Sequence, residues 1–297
     1  MADKKYPVKL GITGGTGFIG TNLIAELHRN SDKYQFEVFD FERYDLFLPE
    51  TYTDFLKDKD VFIHLAGAMR ESQDEIFRVN LYGTYSLLKG ISEFNGKRPK
   101  VILSSSMHVY STTEKPFWHD EDSANIGLTS YGLSKLYAEE TLKQFCLNGI
   151  TRGMALRFSN IYGPGGRPFY NSAVQTFLCQ SARKQKILVN GTGDQGRDFL
   201  YIKDAVNAIL LAVDYEPDPF ELFNVCSGKL TTLNDILNSI KSNLGCDIEV
   251  EYNPGNEGLN FLIGDPIKAK NRLNFEVRTS IEEGLRATFD WMRETKI

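Results

Sequence analysis

The chain predicts an α/β fold: a doubly wound parallel sheet, followed by a smaller α/β domain assembled from discontinuous segments. Three observations carry this. Short apolar strand candidates alternate with helical periodicity through the first half of the chain. A glycine-rich turn, Gly14-Gly15-Thr16-Gly17-Phe18-Ile19-Gly20, joins the first strand to the first helix. Val101-Ile102-Leu103 is continuously apolar, as suits a strand buried on both faces of a parallel sheet.

Composition sets the frame. With 297 residues the chain can bury a large core, and 25% charged and 41% hydrophobic residues are ordinary globular values. A net charge of −5 argues against a nucleic-acid surface. Cys146, Cys179, Cys226 and Cys246 are scattered without metal-like spacing, and read as reduced thiols of a cytoplasmic protein. No signal peptide and no membrane-spanning run is expected.

In chain order, Lys9 to Thr13 is the first strand, and Leu23, Ile24 and Leu27 mark the helix after the turn. Gly15, Gly17 and Gly20 satisfy G-x-G-x-x-G, and Gly14, Gly17 and Gly20 a looser form of it. Such glycines permit a tight turn and let a pyrophosphate approach bare N–H groups at a helix N-terminus. In this strand-turn-helix setting the motif predicts a Rossmann-type dinucleotide site. Phe36 to Asp40 is the next strand, and Asp40, twenty residues after Gly20, is placed to accept the adenosine ribose hydroxyls. A carboxylate there favours NAD, while nearby Arg43 leaves NADP as an alternative. Asp45-Leu46 precedes an expected polar helix.

Val61 to Leu65 forms a strand that runs into Ala66-Gly67-Ala68, and His64 within it reads as a packed core histidine. Asn80 falls on a helix with an apolar stripe and by position alone reads as a surface residue. The strand around Val101 leads into Ser104-Ser105-Ser106-Met107-His108, a serine cluster read as a turn with one hydroxyl meeting Tyr131. In Tyr131-Gly132-Leu133-Ser134-Lys135 the tyrosine and lysine share one helix face, where an ammonium lowers the pKa of a neighbouring phenol. His108 divides evenly between an acid/base or substrate contact and a packed or solvent-facing loop histidine.

Met154 to Phe158 is a further strand, and the Gly/Pro cluster from Ser159 to Pro168 marks the expected domain boundary. Residues 1–162 are assigned to the dinucleotide domain with 195–226 returning to it. Residues 163–194 and 227–297 are assigned to the substrate domain. Gly191 to Phe199 reads as a polar loop carrying Arg197. Asp204 to Val213 is a helix, Leu222 to Val225 a strand, Thr232 the N-cap of another helix, and Ile281 to Met292 an amphipathic helix whose Phe289 and Trp291 face a core.

Together these residues resemble the extended short-chain dehydrogenase/reductase superfamily, in its NAD-dependent epimerase/dehydratase branch. The resemblance implies NAD held by Gly14, Gly17, Phe18, Ile19, Gly20, Asp40, Asp45, Leu46, Leu65, Ala66, Gly67, Asn80, Ser104 and Phe158. It implies a catalytic set of Ser106, Tyr131 and Lys135, with Tyr131 and Lys135 also at the cofactor. It implies substrate contacts from Ser106, Met107, His108, Asn160 and Arg197, the last on a nucleotide-sugar phosphate, and a homodimer. The branch's 4,6-dehydratases carry an Asp-Glu pair after the catalytic hydroxyl. Met107-His108 stands there instead, which points to a 4-epimerase, or to a sugar or uronate dehydrogenase or reductase. A non-catalytic dinucleotide sensor is a remoter alternative, since both Tyr131 and Lys135 are kept. The family's second phosphate arginine has no counterpart in Asn253 to Asn260; Arg167 or Arg272 is a candidate substitute, or the substrate carries less phosphate.

Overall fold

β1 (Val8–Thr13) lies inside a six-stranded sheet and sets its polarity. In the computed structural model, which describes residues 7–94, 96–127, 129–253 and 260–295, β1 is flanked by β2 (Tyr34–Val38) and β3 (Val61–His64). Both pair with it in parallel, and β4 (Lys100–Ser106) is parallel to β3. The strands Arg152–Phe158 and Phe220–Val225 follow β4 in the sheet. The chain leaves β1 towards β2 on one side and returns to β3 on the other, so the crevice at the carboxyl ends of β1 and β3 is a topological switch point. Leu10, Ile12, Phe62, Ile63, Ile102 and Leu103 are almost wholly buried, which explains why these strands read as unbroken apolar runs.

The chain forms two compact units. One comprises residues up to 109 with 125–157 and 209–223; the other comprises 110–124, 158–208 and 224 onward. Residues 110–124 belong to the second unit, the boundary that the sequence suggested at 162 falls after Arg157, and the returning stretch is 209–223 where the sequence suggested 195–226.

The second unit is built from small sheets. Gly196–Arg197 lies between Thr231–Thr232 and Phe261–Gly264, and the latter also pairs with Trp118–His119. Asn160–Tyr162 pairs with Phe199–Tyr201, and Ile187–Asn190 with Val250–Asn253, both in parallel. Thr232 caps the helix Leu233–Leu244 reciprocally with Asp235, as its sequence position implied. Phe289 is buried on the helix Ile281–Glu294, with Trp291 half-buried.

Three local expectations differ from what forms. The segment after Asp45-Leu46 is a short turn and the helix Thr53–Leu56, whose Phe55 and Leu56, with the preceding Tyr52, join the core; the helix is too short for its polarity pattern to be legible. The serine cluster is not a turn: β4 runs through Ser106, and the Ser105 hydroxyl finds its partner inside, at Glu139. The Gly191–Phe199 stretch contains strand pairing at both Arg197 and Phe199.

His64 is buried, as its apolar strand implied, and holds a fixed tautomer. The Thr84 hydroxyl spends its proton on the Asn80 carbonyl (2.6 Å), so it accepts at 3.1 Å from His64 Nε2, leaving Nδ1 to accept from the Thr13 hydroxyl at 2.7 Å. Burial first, and then the Lys135 charge, lower the His64 pKa to about 3, far below the ordinary 6.5. The ring stays neutral when folded, so its contribution to stability is present above pH 6.5 and is lost as pH falls below it. We expect His64→Asn to flatten the decline in unfolding free energy between about pH 6 and pH 4, by up to about 1.4 kcal/mol per pH unit. Equilibrium urea unfolding across that range measures this, and parallel curves for parent and variant would refute it.

Candidate active site

The turn after β1 is shaped by what a side chain would strike. Gly14 has φ +71°, and a Cβ there would sit 2.5 Å from the Ala66 nitrogen and 2.6 Å from the Leu65 carbonyl carbon. A Cβ on Gly20 would lie 2.3 Å from the Gly14 oxygen, and one on Gly17 at 3.2 Å from it. Helix α1 (Phe18–Arg29) therefore starts directly against the turn and against Leu65-Ala66 at the end of β3. Its N-cap, Gly17, offers no side-chain cap, and the first turn, begun by half-buried Phe18 and Ile19, carries no acid. Among the described residues, then, neither a capping side chain nor a first-turn acid meets the positive end of α1, which suits a diphosphate.

Asp40 lies two residues past β2, exposed, and its carboxylate accepts from the Glu42 amide at 2.9 Å. Asp45 is likewise exposed and accepts from Phe47 N, while Leu46 is buried. Arg43, the residue that left NADP open, lies over the Tyr44 ring and 3.9 Å from Asp54.

Asn80 is not a surface residue: it is 1% exposed, in a π-helical turn spanning Arg78–Tyr82. Its Oδ1 accepts from Ala68 N at 2.8 Å, and its Nδ2 donates to Ala68 O at 2.8 Å and to Ser134 Oγ at 2.9 Å. Ser134 in turn donates to the Tyr131 carbonyl at 2.8 Å. The amide thereby fastens the segment after β3 to the first turn of the helix Ser130–Leu147, which bears Tyr131 and Lys135. A helix surface reading fails here because the π-turn redirects the side chain, a change no periodicity count registers.

On that helix Lys135 is buried. Its Nζ donates to the Ser104 carbonyl at 2.9 Å and lies 5.9 Å from the Tyr131 ring centroid. Gly67 leaves room for it, since a Cβ there would stand 3.1 Å from Nζ. Burial pulls the Lys135 pKa down to about 8, with the Glu139 charge acting the other way. Ser106, at the end of β4, is buried, and its Oγ accepts from His108 N at 3.2 Å. The His108 ring meets the Tyr131 ring edge-on, centroids 5.8 Å apart. Gly132 makes this approach possible, because a Cβ there would fall 2.1 Å from the His108 oxygen. Met107 is buried in the core. Of the three serines, Ser105 is committed elsewhere: it donates to the Glu139 carboxylate, which also binds Arg157 through Nε (3.0 Å) and Nη2 (2.7 Å). Glu139 and Arg157 are each 1% exposed.

In the second unit Asn160 donates to the Asp198 carbonyl from both its backbone (3.0 Å) and Nδ2 (3.1 Å). Asp198 is buried, accepting from Ser227 and Gly228 amides, and burial raises its pKa. Arg197 stands next to it on the strand, held by Asn260. Phe158 is buried at the end of its strand. Of the stretch Asn253 to Asn260, which lacks the second arginine, residues 254–259 lie outside the described residues. Gly132, Ser134, Glu139 and Arg157 were not singled out from sequence; the one available signal was Glu139 at the next i+4 position after Lys135.

A model of the NAD dependent epimerase/dehydratase family matches residues 10–226. A UDP-glucuronate 4-epimerase of Thermodesulfobacterium geofontis is 30% identical over 72% of this chain and 65% of its own length. A dTDP-4-dehydro-6-deoxyglucose reductase of Escherichia coli is 29% identical over 92% of this chain and 94% of its own. Among solved structures, a UDP-glucose 4-epimerase of Thermotoga maritima with UDP-glucose superimposes with a TM-score of 0.87 at 27% identity, covering 98% of this chain and 100% of that one. Among the described residues no helix is long and apolar enough to cross a membrane.

The Glu139–Arg157 pair yields a stability prediction. Arg157→Met leaves a buried carboxylate without its counter-ion and is expected to cost about 3–5 kcal/mol. Adding Glu139→Leu should recover most of that loss. Chemical denaturation of the single and double variants tests it; a double variant no more stable than the single would show that the ion pair is not what the site depends on.

Proposed function

We propose that this chain, which belongs to the NAD dependent epimerase/dehydratase family, is a nucleotide-sugar 4-epimerase. NAD is its cofactor, and the residues present fit it: the bare turn at Gly14, Gly17 and Gly20, the uncapped start of α1, and exposed Asp40. When bound, NAD supplies reversible hydride transfer at a carbinol carbon. The chain's own part is proton handling and orientation. Tyr131 Oη takes the proton of the sugar hydroxyl as its carbon is oxidised, and returns it once the keto-sugar has turned its other face. Lys135, its ammonium anchored on the Ser104 carbonyl, stabilises the phenolate. Ser106 Oγ donates to the reacting oxygen and orients it. Arg197 takes the diphosphate.

The observation that carries the choice of epimerase is the pair Met107-His108 after Ser106. Buried Met107 transfers no proton, and one imidazole does not replace the two carboxyl groups of a dehydratase. A second reading, a dehydrogenase acting on a sugar acid, is favoured by the His108 ring beside Tyr131, where an imidazolium would suit a carboxylate substrate.

The reading includes a homodimer. Tyr82 and Tyr85 on the helical segment 78–93 and Tyr137 on the helix Ser130–Leu147 are 48%, 41% and 46% exposed, on helices that pack together. Large rings in such number on one helix pair suit an apolar interface.

With NAD+ and a panel of nucleotide sugars and free uronic acids, we expect an epimeric product without accumulating NADH. Stoichiometric NADH with a free sugar acid would instead establish the dehydrogenase. Tyr131→Phe is expected to lower kcat by at least roughly 10²–10⁴ while NAD affinity stays within a factor of about two. Retained activity would remove Tyr131 as the base. Tyr85→Glu should convert a dimer into a monomer in light scattering; a parent already monomeric would end that part of the proposal.

A further inference from the structure

We propose that Arg157 is a positioning residue for the proton transfer: it holds the buried Glu139 carboxylate away from Lys135 and so leaves the lysine ammonium to Tyr131. The inference deepens the epimerase reading above and rests on it, since it concerns the same tyrosine and lysine. Lys135 and Glu139 stand four residues apart on the helix Ser130–Leu147, which puts their side chains on neighbouring turns of one face. Lys135 is 5% exposed and Glu139 1%. Opposite charges at that spacing attract strongly once water is excluded. No ion pair joins them all the same: the Lys135 ammonium donates to the Ser104 carbonyl at 2.9 Å, and the Glu139 carboxylate pairs with Arg157.

The carboxylate is filled from the sheet. Arg157 Nε donates to Oε1 at 3.0 Å and to Oε2 at 3.2 Å, Nη2 donates to Oε2 at 2.7 Å, and the Ser105 hydroxyl donates to Oε1. Both oxygens are thus met by donors from β4 and from the strand Arg152–Phe158, which are neighbours in the sheet. All of these residues belong to the first compact unit. The two-pronged grip is particular to arginine and fixes the carboxylate in place, where a lysine would offer only a point charge. At Lys135 burial lowers the pKa to about 8, and the Glu139 charge acts the other way. A carboxylate released by Arg157 would meet that ammonium directly. The lysine charge would then be spent on Glu139, and the phenolate it stabilises would form only at higher pH. The other titratable groups packed about the pair are His64 on β3, which burial keeps neutral, and His108, whose ring meets that of Tyr131.

A double-variant cycle in the full chain tests the coupling. Tyr131 is titrated by NMR of ring-labelled tyrosine, its signal assigned by its loss in Tyr131→Phe. Arg157→Met is expected to move that titration up by about one pH unit, and the acid limb of kcat/KM with it. Glu139→Gln keeps an acceptor for Arg157 and removes the charge; in that background Arg157→Met is expected to move the titration by less than about a third as much. An arginine acting by its own charge would shift both backgrounds equally, and one serving the fold alone would shift neither; each of these results overturns the inference. Should Arg157→Met fail to fold, Arg157→Lys decides the matter. It keeps the charge and loses the fork, so an upward shift of about half a pH unit is expected, and no shift overturns the inference. The titration requires no turnover. The expected cycle in a protein whose Tyr131→Phe variant stays active would therefore support the coupling and remove the proposed reaction.

Discussion

A buried chain of hydrogen bonds joins the places where chemistry is expected. It runs from Thr13 at the end of β1 through His64 and Thr84 to the Asn80 carbonyl, and from the Asn80 side chain through Ser134 to the Tyr131 carbonyl. Thr13, His64, Thr84, Asn80 and Ser134 are all buried, so their polar atoms must be satisfied or cost free energy. Satisfying them all leaves one arrangement of the glycine turn, the end of β3 and the first turn of the Tyr131 helix. A polar network of this kind contributes less to net stability than to uniqueness of geometry. That is what a site needing three separate segments in register requires.

The electrostatic arrangement beneath the helix follows from the same burial. Lys135 and Glu139 occupy successive turns, and both are buried. Left to themselves they would pair, and the lysine charge would be quenched. Arg157 and Ser105 bind the carboxylate instead, and Lys135 is turned to the Ser104 carbonyl. The three serines at the end of β4 thus make separate contacts: a carbonyl for the lysine, a hydroxyl for the buried glutamate, and a hydroxyl at the strand end that accepts from the His108 amide.

Much of this was legible in the sequence where the requirement is local. The glycine turn, the parallel strands, the core role of His64 and the shared face of Tyr131 and Lys135 follow from backbone sterics and from helical and strand periods. Asn80 was misplaced because a π-turn shifts the helix register. Arg197 reads as a loop residue in the sequence because its two-residue strand depends on Thr231 and Leu262, both distant in the chain. Ser105 could not be told from Ser106, since the difference lies in a glutamate 34 residues away.

The sequence by itself determined the α/β class, the family resemblance and the candidate set of Ser106, Tyr131 and Lys135, because glycine conformations, hydrophobic periods and i,i+4 spacing act within a few residues. Only the tertiary structure decided which hydroxyl stays available, which residue ties the Tyr131 helix to β3, and what holds Arg197. Those outcomes turn on whether a buried donor finds an acceptor, and the acceptor lies tens of residues away along the chain, brought close only by folding.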